Sequence, residues 1–180
     1  LGFLVWLAKM VPREGYPMTD IAKTEELFFD RAGMDRSRVE GIVDEALGKA
    51  DDGELFLEYE QSESFVFDDG QLKNANFDTH QGFGMRAVSG ETVGYAHASE
   101  LSEEALKRAG ATVRSVQVGY GGTMAEGPAQ TNHSLYKDDN PLSMVPFETK
   151  VKLLGEIDSY VRGLDGRVRQ VSASLSGSWQ

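Results

Sequence analysis

The stretch "QGFGMRAVSGETVGYAHASE", Gln81 to Glu100, sets Gly82, Gly84, Gly90 and Gly94 close together, and its reading decides the fold. Its start fits a relaxed dinucleotide-binding fingerprint with Ala87 in the third small position. That fingerprint works only as a strand, a tight turn and a helix whose N-terminus faces a pyrophosphate. The residues after Ala87 do not have a helical pattern. Ser89-Gly90-Glu91 is a turn cluster, and Thr92, Val93 and Tyr95 favour strands. The stretch therefore predicts a β-hairpin, with strands near 82–88 and 92–98 joined through Gly90. A glycine inside a strand marks a bulge or a close approach of backbone.

Upstream, Leu55, Leu57 and Tyr59 alternate with Phe56, Glu58 and Glu60; "SFVF" comes next, then the hairpin signal Asp69-Gly70, then "QLKNANF". Two or three antiparallel strands are expected before the glycine hairpin, with connections short enough for a meander. Before the sheet, Val39, Ile42, Val43, Ala46 and Leu47 recur at helical spacing over about 36–47, with Asp35 as N-cap and Gly48 as the terminal glycine. After it, Ser102 caps a helix with Leu106, Ala109, Val113 and Val116 on one stripe. Glu103/Lys107 and Glu104/Arg108 are expected to pair on its wet side. Residues 117–146 are rich in glycine and proline and have no sustained period, which is the pattern of a long loop. A further helix begins near Phe147, with Phe147, Val151, Leu154, Ile157 and Val161 on one face and Glu148/Lys152 and Asp158/Arg162 as pairs. A turn at Asp165-Gly166 leads to a last strand, where Val171, Ala173 and Leu175 alternate with Ser172, Ser174 and Ser176. The expected class is α+β: an antiparallel β-meander sheet packed with about three helices.

The chain has 180 residues and 40% hydrophobic content, enough to bury a core. Its formal charge of −11 opposes nonspecific binding to phosphate backbones, so no nucleic-acid partner is expected. With no cysteine, the chain has no disulfide, thiolate ligand or cysteine nucleophile of its own. The apolar run Leu1 to Ala8 falls far short of the roughly 18 residues that span a bilayer, and no membrane partner is expected. It also lacks the flanks of a signal peptide. Residues 1–17 are expected to be upstream or appended sequence, with a natural start at Met18.

The residues that could do chemistry give little. His80, His97 and His133 lack the i, i+4 partner of a helical zinc motif. Glu58 and Glu60 read as the solvated side of a strand, and Asp68-Asp69-Gly70 as a turn. Ser172, Ser174 and Ser176 have no nearby base to activate them. Asn132 opens an "NHS" acceptor that only a secreted protein would use. Arg86, the one cation in the glycine stretch, is either a surface residue or the partner of an acid across the sheet.

From Asp52 to Leu106, "DGELFLEYEQSESFVFDDGQLKNANFDTHQGFGMRAVSGETVGYAHASELSEEAL" resembles the amino-terminal domain of the TldD/PmbA metalloproteases, more closely the TldD branch. "NPLSMVPFETKVKLLGEIDSYVR" and "RVRQVSASLSGSWQ" continue the likeness, and "QGFGMRAVSG" is its most specific element. The resemblance implies a cytoplasmic bacterial zinc metallopeptidase in which TldD-like and PmbA-like (TldE) subunits form a heterodimer around an enclosed channel. Unfolded or extended peptides are its substrates, in peptide maturation and antitoxin degradation. It also implies zinc held by a His-Glu-x-x-x-His helix and a later cysteine in the carboxy-terminal part. This chain has neither, so no catalytic or metal-binding residue is carried onto it, and the fragment alone is expected to bind no zinc and to be inactive. The expected division is an upstream segment 1–17, an amino-terminal domain 18–166, and a final strand 167–180 leading toward a metalloprotease domain. The alternatives are a noncatalytic peptide-binding and assembly module, or a PmbA/TldE-like noncatalytic subunit. Gly82, Gly84, Arg86 and Gly90 are the candidate residues, as a peptide-channel hairpin or a structural one.

Overall fold

The computed structural model describes residues 25–119 and 139–180. The expected loop at 117–146 falls largely outside them, as do the segment 1–17, Met18, Asn132 and His133. Four antiparallel strands form one sheet: β1 (Asp52–Asp68), β2 (Gln71–Ser89), β3 (Thr92–Ala98) and β4 (Ser172–Trp179), in the order β3-β2-β1-β4. The first three make the expected meander, and β4 returns beside β1. The helices are α1 (Arg36–Leu47), α2 (Glu103–Arg114), a short α3 (Pro141–Met144) and α4 (Phe147–Leu164).

Both predicted hairpin turns are two-residue loops whose backbone favours glycine. Asp69 and Gly70 have φ of 50° and 77°, the pattern of a type I′ turn. In the second, Ser89 pairs with Thr92, and Gly90, at φ 60°, takes the first central position as in type II′. The segments read as separate short strands merge into two strands of 17 and 19 residues. The polar stretches around Gln61–Ser64 and Asp78–Gln81 weaken the hydrophobic alternation. They contain neither proline nor glycine to interrupt backbone pairing, and the ladder continues through them.

The described residues divide into two compact units. The larger comprises 25–59 and 81–119, and the smaller 60–80 and 139–180. In the larger unit, α1 and α2 pack on one face of the sheet. Val39, Val43, Ala46 and Leu47 from α1 meet Leu106, Ala109 and Val113 from α2, with Leu55, Leu57, Phe83, Met85 and Ala87 from the strands. A π-helical turn, Glu26–Asp30, adds Phe28 and Phe29. Asp35 accepts a hydrogen bond from the Arg38 amide at 3.0 Å, and Ser102 one from the Ala105 amide at 3.1 Å, so both expected caps form. Gly48 ends α1 in a right-handed conformation, φ −61°, and so does not act as a left-handed terminal glycine.

In the smaller unit, Phe65, Phe67 and Leu154 form a buried cluster, with Leu72, Val151, Ala173 and Leu175 packed around them. The face of α4 differs from expectation. Leu154 is buried and Val151 and Val161 are partly so, but Phe147 and Ile157 are exposed while Lys150 and Asp158 are buried. The reason is pairing. The Lys150 ammonium donates to both Glu63 oxygens, at 2.6 and 2.7 Å, and to the Leu142 carbonyl at 2.8 Å, which uses all three of its donors. Asp158 accepts from Arg162 at 3.0 Å, as expected. Lys152 pairs with Glu156 rather than Glu148. On α2, Arg108 pairs with Glu100 and Glu103 with Arg38, in place of the expected i, i+4 partners.

Candidate functional site

In the larger unit the sheet has one face under helices and a second face that carries the candidate residues. Side chains alternate along a strand, so Phe83, Met85 and Ala87 enter the core while Gly82, Gly84, Arg86 and Val88 lie on the opposite face. The register with β3 sets Gly84 opposite His97 and Arg86 opposite Tyr95. Tyr95 stacks on His97, ring centroids 5.7 Å apart, and is 60% exposed.

Each predicted site residue has a definite neighbourhood. A Cβ on Gly84 would lie 2.7 Å from the Tyr95 hydroxyl oxygen and 3.2 Å from its ring, so the absence of a side chain makes room for the tyrosine. A Cβ on Gly82 would lie 2.6 Å from the Ala98 carbonyl oxygen. The Gly90 amide donates to Asp51 Oδ2 at 2.8 Å, fixing the turn. Arg86 donates from Nε to Glu54 at 2.9 Å and from Nη2 to Asp52 at 3.0 Å. The Glu54 hydrogen bond chiefly, then that of Asp52, hold the guanidinium above its ordinary pKa against the opposing effect of burial. With two carboxylates to one cation, the cluster carries net negative charge. The sequence allowed Arg86 an acidic partner. The structure supplies two, Asp52 and Glu54, which are two apart on β1 and so share a face.

The arrangement brings Gly84, Arg86, Tyr95 and His97 together, with Gly82 beside Ala98 and Gly90 at the turn. His80 lies on β2 and is exposed. Among the described residues, no group of three or more His, Asp or Glu side chains is placed to hold a metal ion, so the described residues do not fit a zinc site. Asp69 and Asp68 belong to the smaller unit, where Asp69 takes Arg162 and Asp68 accepts from Gln170 at 3.1 Å. Sequence reasoning missed the buried Lys150–Glu63 pair. The face offers a stacked aromatic pair, an anchored cation and small residues; it offers no nucleophile beside a base. No helix of the described residues is long and apolar enough to cross a membrane.

Residues 53–116, running from β1 through α2, match the family described as PmbA/TldA metallopeptidase domain 1. A Metalloprotease TldD homolog of Haemophilus influenzae is 34% identical over 133 residues, which is 72% of this chain and 28% of that protein. One of Buchnera aphidicola subsp. Acyrthosiphon pisum is 31% identical over 131 residues, 72% of this chain and 27% of its own length. The chain thus spans under a third of the curated relatives it matches. The crystal structure of a candidate modulator of DNA gyrase from Bacteroides thetaiotaomicron shares the fold, with a TM-score of 0.55 at 15% identity over 79% of this chain and 34% of that one. Through the sheet, the glycine hairpin and α2, the chain belongs to the PmbA/TldD metallopeptidase family, of which it carries the first domain.

Proposed function

We propose that this chain is the noncatalytic first domain of a TldD-like zinc metallopeptidase subunit. It helps to form a channel for unfolded or extended peptides, in a cytoplasmic heterodimer with a PmbA/TldE-like subunit. Peptide hydrolysis and zinc belong to sequence outside these 180 residues. The observation that carries this reading is the match at 53–116, which covers the glycine hairpin, in a chain that lacks cysteine and a His-Glu-x-x-x-His motif. Incubating the purified chain with zinc and an unfolded peptide tests it: no cleavage is expected, and zinc-dependent cleavage would overturn the noncatalytic assignment. A His-Glu-x-x-x-His motif in the downstream reading frame separates a catalytic TldD-like subunit from a PmbA-like one.

Strand addition is the mode of peptide capture that suits such a domain, because backbone hydrogen bonds give affinity with little discrimination among side chains. The strand beside Gly82 and Gly84 is β3, at one edge of the sheet, and it has no charged residue. The glycines also support a purely structural reading, since Tyr95 occupies the space over Gly84. Gly84→Val in the assembled enzyme separates the two. Lower thermal stability with unchanged peptide affinity supports the structural role, and weakened peptide affinity with unchanged stability supports the channel role.

A further inference from the structure

The hydrogen-bond phase of the glycine hairpin fixes which backbone groups of β3 are left for another chain. The Asp51 amide donates to the Val88 carbonyl at 2.8 Å, so the backbone of Val88 points toward the start of β1 and away from β3. Val88 stands opposite Val93 in the β2–β3 register. Opposed residues that turn their backbone groups away from each other form a non-hydrogen-bonded pair, and such pairs recur every second residue. Arg86 with Tyr95 and Gly84 with His97 are therefore of the same kind. The amides and carbonyls of Val93, Tyr95 and His97 point away from β2, while Gly94, Ala96 and Ala98 hold the ladder. Among the described residues no strand takes the outward groups, and β3 has neither the charge nor the proline that ordinarily guards an edge.

The residues with outward backbone groups are also the ones whose side chains lie on the face away from the helices. Val93 is 58% exposed, and Tyr95 stacks on the exposed His97 with ring planes 29° apart. Tyr95 also reaches over Gly84, so it is supported from two directions before anything binds. The helix side of β3 is different. Gly94 lies tight beneath α2 and the turn after it: an added Cβ would come within 3.1 Å of the Val113 Cα and 3.0 Å of the Val116 side chain. A strand laid along this edge sends alternate side chains to each face. Those opposite Tyr95 and His97 meet aromatic rings at cross-strand distance.

We propose that Tyr95, braced by His97 and Gly84, is the specificity-determining residue of this edge, and that it favours extended peptides with an aromatic side chain at the position facing it. The inference rests on the strand-addition reading above and adds a modest side-chain preference to it. The outward groups of Val93, Tyr95 and His97 hold the backbone of any extended segment. The ring then rewards one kind of side chain, because aromatic pairs in offset or edge-on geometry gain more than their buried area alone supplies. A ring already held in place loses little freedom when the peptide arrives, so that gain is kept.

Fluorescence anisotropy on the 180-residue chain tests this with short labelled peptides in which serine alternates with phenylalanine or with leucine. The phenylalanine peptide should bind about fivefold tighter than the leucine one, the size expected of a ring pair beyond area burial. Tyr95→Leu should make the two bind alike, whereas Tyr95→Phe should keep the preference. N-methylation of the peptide amides that face β3 should abolish binding of both peptides, and so should Val93→Pro, which removes an outward amide and spares the ladder to β2. If methylated peptides still bind, strand addition fails and the role of Tyr95 fails with it. If methylation abolishes binding but the two peptides bind alike, or the preference survives Tyr95→Leu, strand addition stands and the role of Tyr95 is overturned. Absence of binding by either peptide overturns both, as does a dimer in sedimentation velocity that Val93→Pro dissolves, since the edge would then be taken by a second copy.

Discussion

The two units of this chain are held together by different means. The larger one is a sandwich of apolar layers: Val39, Leu57, Met85, Leu106 and Val113 are each fully or almost fully buried and surrounded by others of their kind. The smaller has a buried cluster of only three apolar residues, Phe65, Phe67 and Leu154, and sets charged groups where more of them would be expected. Lys150 and Glu63 are matched to each other and to the Leu142 carbonyl, and Arg162 ties Asp158 to the Asp69 turn. The chemical difference changes what each unit tolerates. An apolar core loses stability in proportion to the surface and volume removed, whereas a buried ion pair fails when one partner is left alone.

The sharpest way to break this contrast is Lys150→Met. It strands the Glu63 carboxylate, whose side chain is 10% exposed, and should cost about 3–5 kcal/mol in urea unfolding. Adding Glu63→Leu should recover most of the loss, because the remaining pair is apolar. If the single variant were as stable as wild type, charge pairing would not hold this unit. Next in size, Leu106→Ala should cost about 3–4 kcal/mol, near the middle of the range for deleting a buried leucine. Leu154→Ala should cost nearer to about 2 kcal/mol, because its neighbours Val151, Ala173 and Leu175 are only partly buried and can settle into the space. Equal losses would mean that the two cores are packed alike.

The same contrast explains what the sequence disclosed. Helices α1 and α2 were legible because their apolar stripes enter an apolar core, and Asp35 and Ser102 mark their starts. Both hairpins were legible because Gly70 and Gly90 supply the positive φ that tight turns need. The smaller unit was read less well. Lys150 and Glu63 are 87 residues apart, and a hydrophobic pattern assigns every charge to the solvent, so the face of α4 was placed wrongly. The short α3 was missed although Asn140 and Pro141 are a sound helix start: the Asn140 side chain accepts from the Leu142 amide at 3.0 Å. For the candidate site, the glycines were visible but not their occupants. Tyr95 over Gly84 depends on a register that only the folded sheet sets, and Arg86 finds Glu54 and Asp52 at separations of 32 and 34 residues.

Arg86 lies between the two extremes, since its side chain is one third exposed. Arg86→Ala should cost about 1 kcal/mol, with the loss shrinking as salt is added, because solvent screens the two carboxylates left behind. A cost insensitive to salt would show that the arginine acts through packing of its stem rather than its charge.

The smallest effect belongs to pH. At the start of α1, the hydrogen bond from the Ser37 hydroxyl, then that from the Arg38 amide, hold the Asp35 carboxyl below the usual carboxylate range. A depressed folded-state pKa means that the carboxylate contributes stability above its unfolded value and loses it as pH falls through the folded one. Asp35→Asn keeps a side-chain oxygen that can cap the helix but cannot titrate. The difference in melting temperature between wild type and Asp35→Asn should therefore be constant near neutrality and shift against the wild type as pH drops through the carboxylate range. Two parallel curves over that range would show that the cap works through its shape alone, and that the charge at this end of the larger unit adds nothing to its apolar core.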